Sequence, residues 1–210
     1  MLKVSESFSF ENDAYFEICK ELSRLCSRLV PEPLWGFSLA SLAKTAPQIA
    51  SAVCGWCPEV VERVYRYWTG LERRGRCEVC GEPGNEVDEE WLYFIFRGGG
   101  VETNAEGVAY LMRMRLLCKN CHLAKHQGYA RVHGKRKEAI EHLALVNKVS
   151  RNRAEHLVSK AFEIWESLNE VGLWKIKLGR LEGMDENLAK QVEKLFEEMF
   201  EKGFSLFRGR

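Results

Sequence analysis

Cys77-Glu-Val-Cys80-Gly81 and, further on, Leu117-Cys118-Lys-Asn-Cys121-His122-Leu-Ala-Lys125-His126 decide how this chain folds. Each stretch holds two cysteines with two residues between them, the spacing at which a backbone turn aims two sulfurs at one tetrahedral ion. We therefore expect Cys77, Cys80, Cys118 and Cys121 to hold a structural Zn2+. Gly81 follows the first pair, where a tight turn favours a residue without Cβ. The segment between the pairs must fold back to join them. Within it, residues 85–96 (NEVDEEWLYFIF) read as a strand whose second half is buried on both faces. Gly98-Gly99-Gly100 marks a turn, and a short amphipathic stretch then leads through Arg115–Leu117 into Cys118.

Working outward, residues 12–29 place Phe16, Cys19, Leu22, Cys26 and Leu29 at three- and four-residue steps, which predicts an amphipathic helix. Pro31 and Pro33 end it, and helices are expected over 38–53 and 58–74. After the last cysteine pair the pattern predicts a helix over 135–146, then one capped by Ser150 that carries Leu157, Ala161, Ile164 and Leu168. A short strand over 174–178 and an acidic amphipathic helix over 185–202 complete the chain. The expected fold is α+β and mainly helical, with a zinc module (75–134) between N-terminal (1–74) and C-terminal (135–210) helical regions. Cys19 and Cys26 read as small buried hydrophobes. Cys54-Gly-Trp-Cys57 reads as ordinary cysteines at a helix junction, with a disulfide or a metal site as the alternatives.

The 210 residues are 46% hydrophobic and 29% charged, which excludes a solvated coil. No apolar run reaches the roughly 20 residues that span a bilayer. The N-terminus lacks the apolar core of a signal peptide, so a cytoplasmic protein with no membrane partner is expected. In that reducing setting close cysteine pairs point to metal before disulfides. The net charge of +1 hides an uneven distribution. Residues 77–106 are acidic, with Arg97 the lone cation. Residues 111–137 contain no acid, and Lys125, Arg131, Lys135, Arg136 and Lys137 there are candidate phosphate contacts for DNA or RNA. The competing reading is a solvated surface that pairs with the chain's own acidic strand.

His122 and His126 lie four apart, so a helix starting at the second knuckle projects both from one face. Two imidazoles at that spacing can share a second divalent ion. Through Cys77-x2-Cys80-Gly81, Glu86-Val-Asp88-Glu89 and Cys118-x2-Cys121-His122-x2-Lys125-His126, the chain resembles HNH (ββα-metal) nucleases. The closer resemblance is to uncharacterised bacterial HNH-like proteins. It runs from Pro33-Leu-Trp-Gly36 through Trp91-x-Tyr93 and His126-x-Gly128 to Ala139-Ile-Glu-His-Leu143 and Ala161-Phe-Glu-Ile-Trp165, roughly residues 31–180. The resemblance implies that Asp88 and His122 hold a catalytic divalent ion such as Mg2+, with His126 as an additional ligand. It also implies a general base from the first strand. One departure stands out: a carboxylate, Asp88 or Glu89 according to the alignment, replaces the base histidine, and in a regular strand these two face opposite sides. A carboxylate with an ordinary pKa of about 4 is a weak base at neutral pH. Three readings follow. They are a nucleic-acid-binding HNH fold with weakened or absent nuclease activity, an active metal-dependent endonuclease, and a zinc-stabilised module that docks a protein partner or forms a homodimer.

Overall fold

Two long strands, β1 (Glu86–Phe96) and β2 (Glu106–Leu117), pair antiparallel, and β3 (Leu173–Leu178) adds to β2 in parallel. The computed structural model describes residues 10–43, 57–72, 75–96 and 105–202. Around the sheet lie α1 (Phe16–Glu21), α2 (described over 39–43), α3 (Cys57–Glu72), α4 (Lys119–Lys125), α5 (Gln127–Val132), α6 (Arg136–Asn147), α7 (Arg151–Asn169) and α8 (Glu186–Glu201). The architecture is α+β with helix predominant. Among the described residues no helix is long and apolar enough to cross a membrane.

One face of the sheet carries the main core. Tyr93, Leu111 and Trp174 meet α3, α7 and α8 through Val64, Leu157 and Phe196, and Leu22 and Leu25 join from the N-terminal segment. A bulge shifts the β1–β2 register between Glu90 and Trp91, and strand alternation turns Leu92 and Phe94 to the other face, where they pack with Val108 in a smaller cluster. That is the two-faced burial expected of the second half of this strand. Helix signals also held where a cap was legible: the Ser150 hydroxyl accepts from the Arg153 N–H at the start of α7. β3 and α8 formed as expected, with Asp185 capping α8.

Three expectations need correction. Residues 106–117, read as a short amphipathic stretch, are a full strand. Their side chains are buried on both faces, so no alternation shows. The helix expected over 12–29 stops at Glu21 because Cys19 and Cys26 are joined by a disulfide with Cα atoms 5.0 Å apart. On a continuous helix, residues seven apart would be roughly 10.5 Å apart. These two cysteines are therefore a covalent clasp and not separate buried thiols. Cys57 is also disulfide-bonded, which overturns its reading as an ordinary cysteine. Cys54, the Gly98–Gly100 turn and the remainder of the 38–53 helix lie outside the described residues.

Candidate metal centre and its cleft

The first knuckle is stitched onto the end of β2, and this brings the two cysteine pairs together. Glu78 N–H donates to the Leu116 carbonyl at 3.0 Å, and the Glu78 carboxylate accepts from Leu116 N–H at 3.0 Å. Asn85 N–H reaches the Leu117 carbonyl at 3.0 Å, one residue before Cys118. Gly81 closes the turn at φ 82°, in the left-handed region that favours glycine, with its N–H on the Cys77 carbonyl at 2.9 Å. Cys118 then caps α4, its sulfur accepting from Cys121 N–H at 3.4 Å.

The sulfurs of Cys77, Cys80, Cys118 and Cys121 all lie within 4.8 Å of one another, an arrangement that could hold a metal ion. Cys80 Sγ is 3.6 Å from Cys118 Sγ and 3.7 Å from Cys121 Sγ. Burial opposes ionisation of Cys77, but amides of Cys80, Cys118 and Val79 outweigh it and lower its pKa to about 7. Burial and the neighbouring sulfurs push Cys121 far up. Four sulfurs this close together suit a shared cation, which compensates the charge of thiolate ligands. Sequence reasoning missed a fifth participant. His142, from α6, places Nε2 3.2 Å from Cys121 Sγ. It lies in a helix beyond the motif, and only tertiary packing reveals it.

A second cluster adjoins the first. Asp88 Oδ1 is 2.8 Å from His126 Nε2 and 3.8 Å from His122 Nε2, and the two rings are 4.5 Å apart, one helical turn from each other. These three residues also could hold a metal ion. The other oxygen, Oδ2, takes an ion pair from the buried Lys125 ammonium, which also donates to the Glu89 carbonyl. Burial works against charge on Asp88, but Lys125 and His126 overcome it and hold the carboxyl far below the usual range. Lys125 is thus engaged inside the site and is not a surface phosphate contact.

The Glu89 side chain goes elsewhere. One oxygen accepts from Ala40 N–H at 2.9 Å, in the first turn of α2, and the other from the Trp91 indole at 2.8 Å. Burial pushes its pKa up to about 7, so the ordinary carboxylate value expected at this position does not hold. Glu90 joins a buried network in which Arg28 bridges it to Asp13, both contacts at 3.1 Å. Arg113 and Arg115 also reach Glu90, at 2.6 and 3.5 Å.

Asp88, Glu89, His122 and His126 line a cleft of about 1350 Å3. Of the expected nucleic-acid contacts, Arg131 and Lys135 line it as exposed residues, together with Lys119. Arg136 is paired with Glu155 at 3.4 Å, and Lys137 is exposed but outside the cleft lining. No protein-family model matches this chain, and no curated protein or solved structure shows a significant match to it.

Proposed function

We propose that this chain is an HNH-like, ββα-metal protein. In this reading it holds a structural zinc at Cys77, Cys80, Cys118 and Cys121 and binds DNA or RNA in the cleft, with phosphodiester hydrolysis weakened or lost. The order β1–β2–α4 around the cysteines supports the fold assignment, since it sets two antiparallel strands and a helix about one cysteine cluster. The observation that carries the functional reading is the convergence of Asp88, His122 and His126 in a cleft whose exposed lining includes Lys119, Arg131 and Lys135. Cations there can neutralise phosphates without reading sequence.

Asp88, His122 and His126 fit a divalent ion such as Mg2+ or Mn2+, which when bound would polarise a phosphodiester oxygen. What argues for weak hydrolysis is the rest of the chemistry. A general base must take a proton from water. Asp88, which one of the two alignments puts in the place of the base histidine, is held by Lys125 on one oxygen and His126 on the other. Glu89 has both oxygens occupied by Ala40 N–H and the Trp91 indole. Neither carboxylate presents an unengaged oxygen to an attacking water.

Equilibrium binding of labelled oligonucleotides tests the reading. Wild type is expected to bind with salt-dependent affinity, and the Arg131→Ala/Lys135→Ala variant to bind about tenfold more weakly with a shallower salt slope. Salt-insensitive binding, or none, would favour the protein-docking reading instead. The convergence of Asp88 with the two histidines keeps an active endonuclease as the second reading. Its mark would be plasmid or RNA cleavage with Mg2+, Mn2+ or Ni2+ that disappears in His122→Ala.

A further inference from the structure

The aromatic residues along the cleft define what kind of nucleic acid it suits. Trp35 and Tyr129 are 45% and 57% exposed, and both line the cleft. Large exposed apolar rings lining one cleft call for an explanation, because single exposed residues are ordinary and clustered ones mark contact surfaces. These rings are also held in place. The Trp35 and Trp165 indoles both donate to the Val30 carbonyl at 2.9 Å, so the two tryptophans share one anchor. Tyr129 leans on His133 with ring centres 4.1 Å apart. Arg131 lies over the Phe162 ring, 5.4 Å from its centre, and both residues line the cleft.

The charge pattern supports stacking over simple backbone attraction. Exposed Lys119, Arg131 and Lys135 supply positive charge, while Glu86, Glu138 and Glu166 also line the cleft. A surface of such mixed charge attracts a duplex backbone weakly. Three cations set among fixed π-faces instead suit a strand whose phosphates need few contacts and whose bases find rings to stack on.

Resting on the nucleic-acid reading above, we propose that the cleft takes a single strand of nucleic acid, with unpaired bases stacked on Trp35 and Tyr129. A base-paired duplex buries its π-faces between neighbouring bases and cannot use these rings. Stacking is tolerant of sequence because every base has a π-face, so a run of a single pyrimidine suffices as a probe.

The test uses the full chain with labelled single-stranded oligothymidine, oligouridine and a DNA duplex of equal length. Both single strands are expected to bind at least tenfold more tightly than the duplex, and the ratio between them tells DNA from RNA. Tyr129→Ala is expected to weaken single-strand binding about tenfold, with Tyr129→Phe restoring it. The exposed position of Tyr129 keeps that variant folded, and Trp35→Phe provides a second ring-preserving control. Duplex bound as tightly as single strand, with Tyr129→Ala unchanged, would overturn the stacking proposal while leaving nucleic-acid binding intact. Failure of every probe to bind would overturn both.

Discussion

Asp88 and Glu89 are neighbours of nearly the same chemistry that end in different places. Strand geometry already separates them, and the structure shows which one meets the histidines: Asp88 reaches His126, and Glu89 is tied to α2 and Trp91. The resemblance implied Asp88 as the metal ligand beside His122 and left open between two alignments only which carboxylate stands in the place of the base histidine. It could not show Lys125 filling the space beside Asp88, because a lysine in a basic segment looks like a surface residue until packing buries it. Removing one partner of a buried ion pair typically costs about 3–5 kcal/mol, since the other charge is left uncompensated. Lys125→Met is therefore expected to lower stability by about 3 kcal/mol in urea denaturation. Added Mn2+ should recover part of that loss by supplying charge at Asp88. A variant as stable as wild type would contradict the pairing. His142 offers a second test. Outer partners of metal ligands commonly change metal affinity by about 10–100-fold. Zinc transfer to a chromogenic chelator should be at least about tenfold faster in His142→Ala, whereas His142→Gln, which keeps a donor, should restore retention. Equal release rates in wild type and both variants would remove His142 from the site.

The elements that sequence revealed were those with a local cause. α7 has its Ser150 cap, α8 its apolar stripe, and β1 its run of aromatic and branched residues. β2 escaped because the residues that bury both of its faces, such as Val108, Leu111, Met114 and Leu116, show no alternation to read. The α1 segment misled because its helical periodicity is real, but the Cys19–Cys26 disulfide bends the chain back before the period is complete. Close approach at the sheet explains a glycine whose role was equally hidden. Gly107 sits opposite Trp174 in the parallel β2–β3 pair, and a Cβ there would lie 2.5 Å from the indole ring. Trp174 is buried and cannot swing aside freely. Gly107→Ala should cost about 1–3 kcal/mol, read as a lower thermal midpoint. An unchanged midpoint would mean that the β2–β3 contact is looser than described.

At the scale of the whole molecule, the basic segment 111–137 divides between cations paired with the chain's own acids and exposed cations. Arg113 and Arg115 serve Glu90, Lys125 serves Asp88, and Arg136 serves Glu155, so part of the basic segment does pair with the chain's own acids. Lys119, Arg131 and Lys135 remain exposed along the cleft. The cysteine frame was legible because ligand spacing is local, whereas the cleft joins residues from α4, α5 and α7 with the segment around Trp35 and has no contiguous signature. The same frame predicts that metal removal acts globally. A structural metal contributes folding energy directly, so with zinc in the cysteine site, as proposed, chelation should lower stability by several kcal/mol and loosen the β1–β2–α4 region in hydrogen exchange. The most direct test of the central claim is where a bound strand lies. Photo-crosslinking of a 4-thiouridine oligonucleotide, followed by peptide mass spectrometry, should mark peptides carrying Trp35 and residues 119–135. Crosslinks confined to α8, which contributes no residue to the cleft lining, or crosslinks unaffected by excess unlabelled strand, would contradict a nucleic-acid site in this cleft.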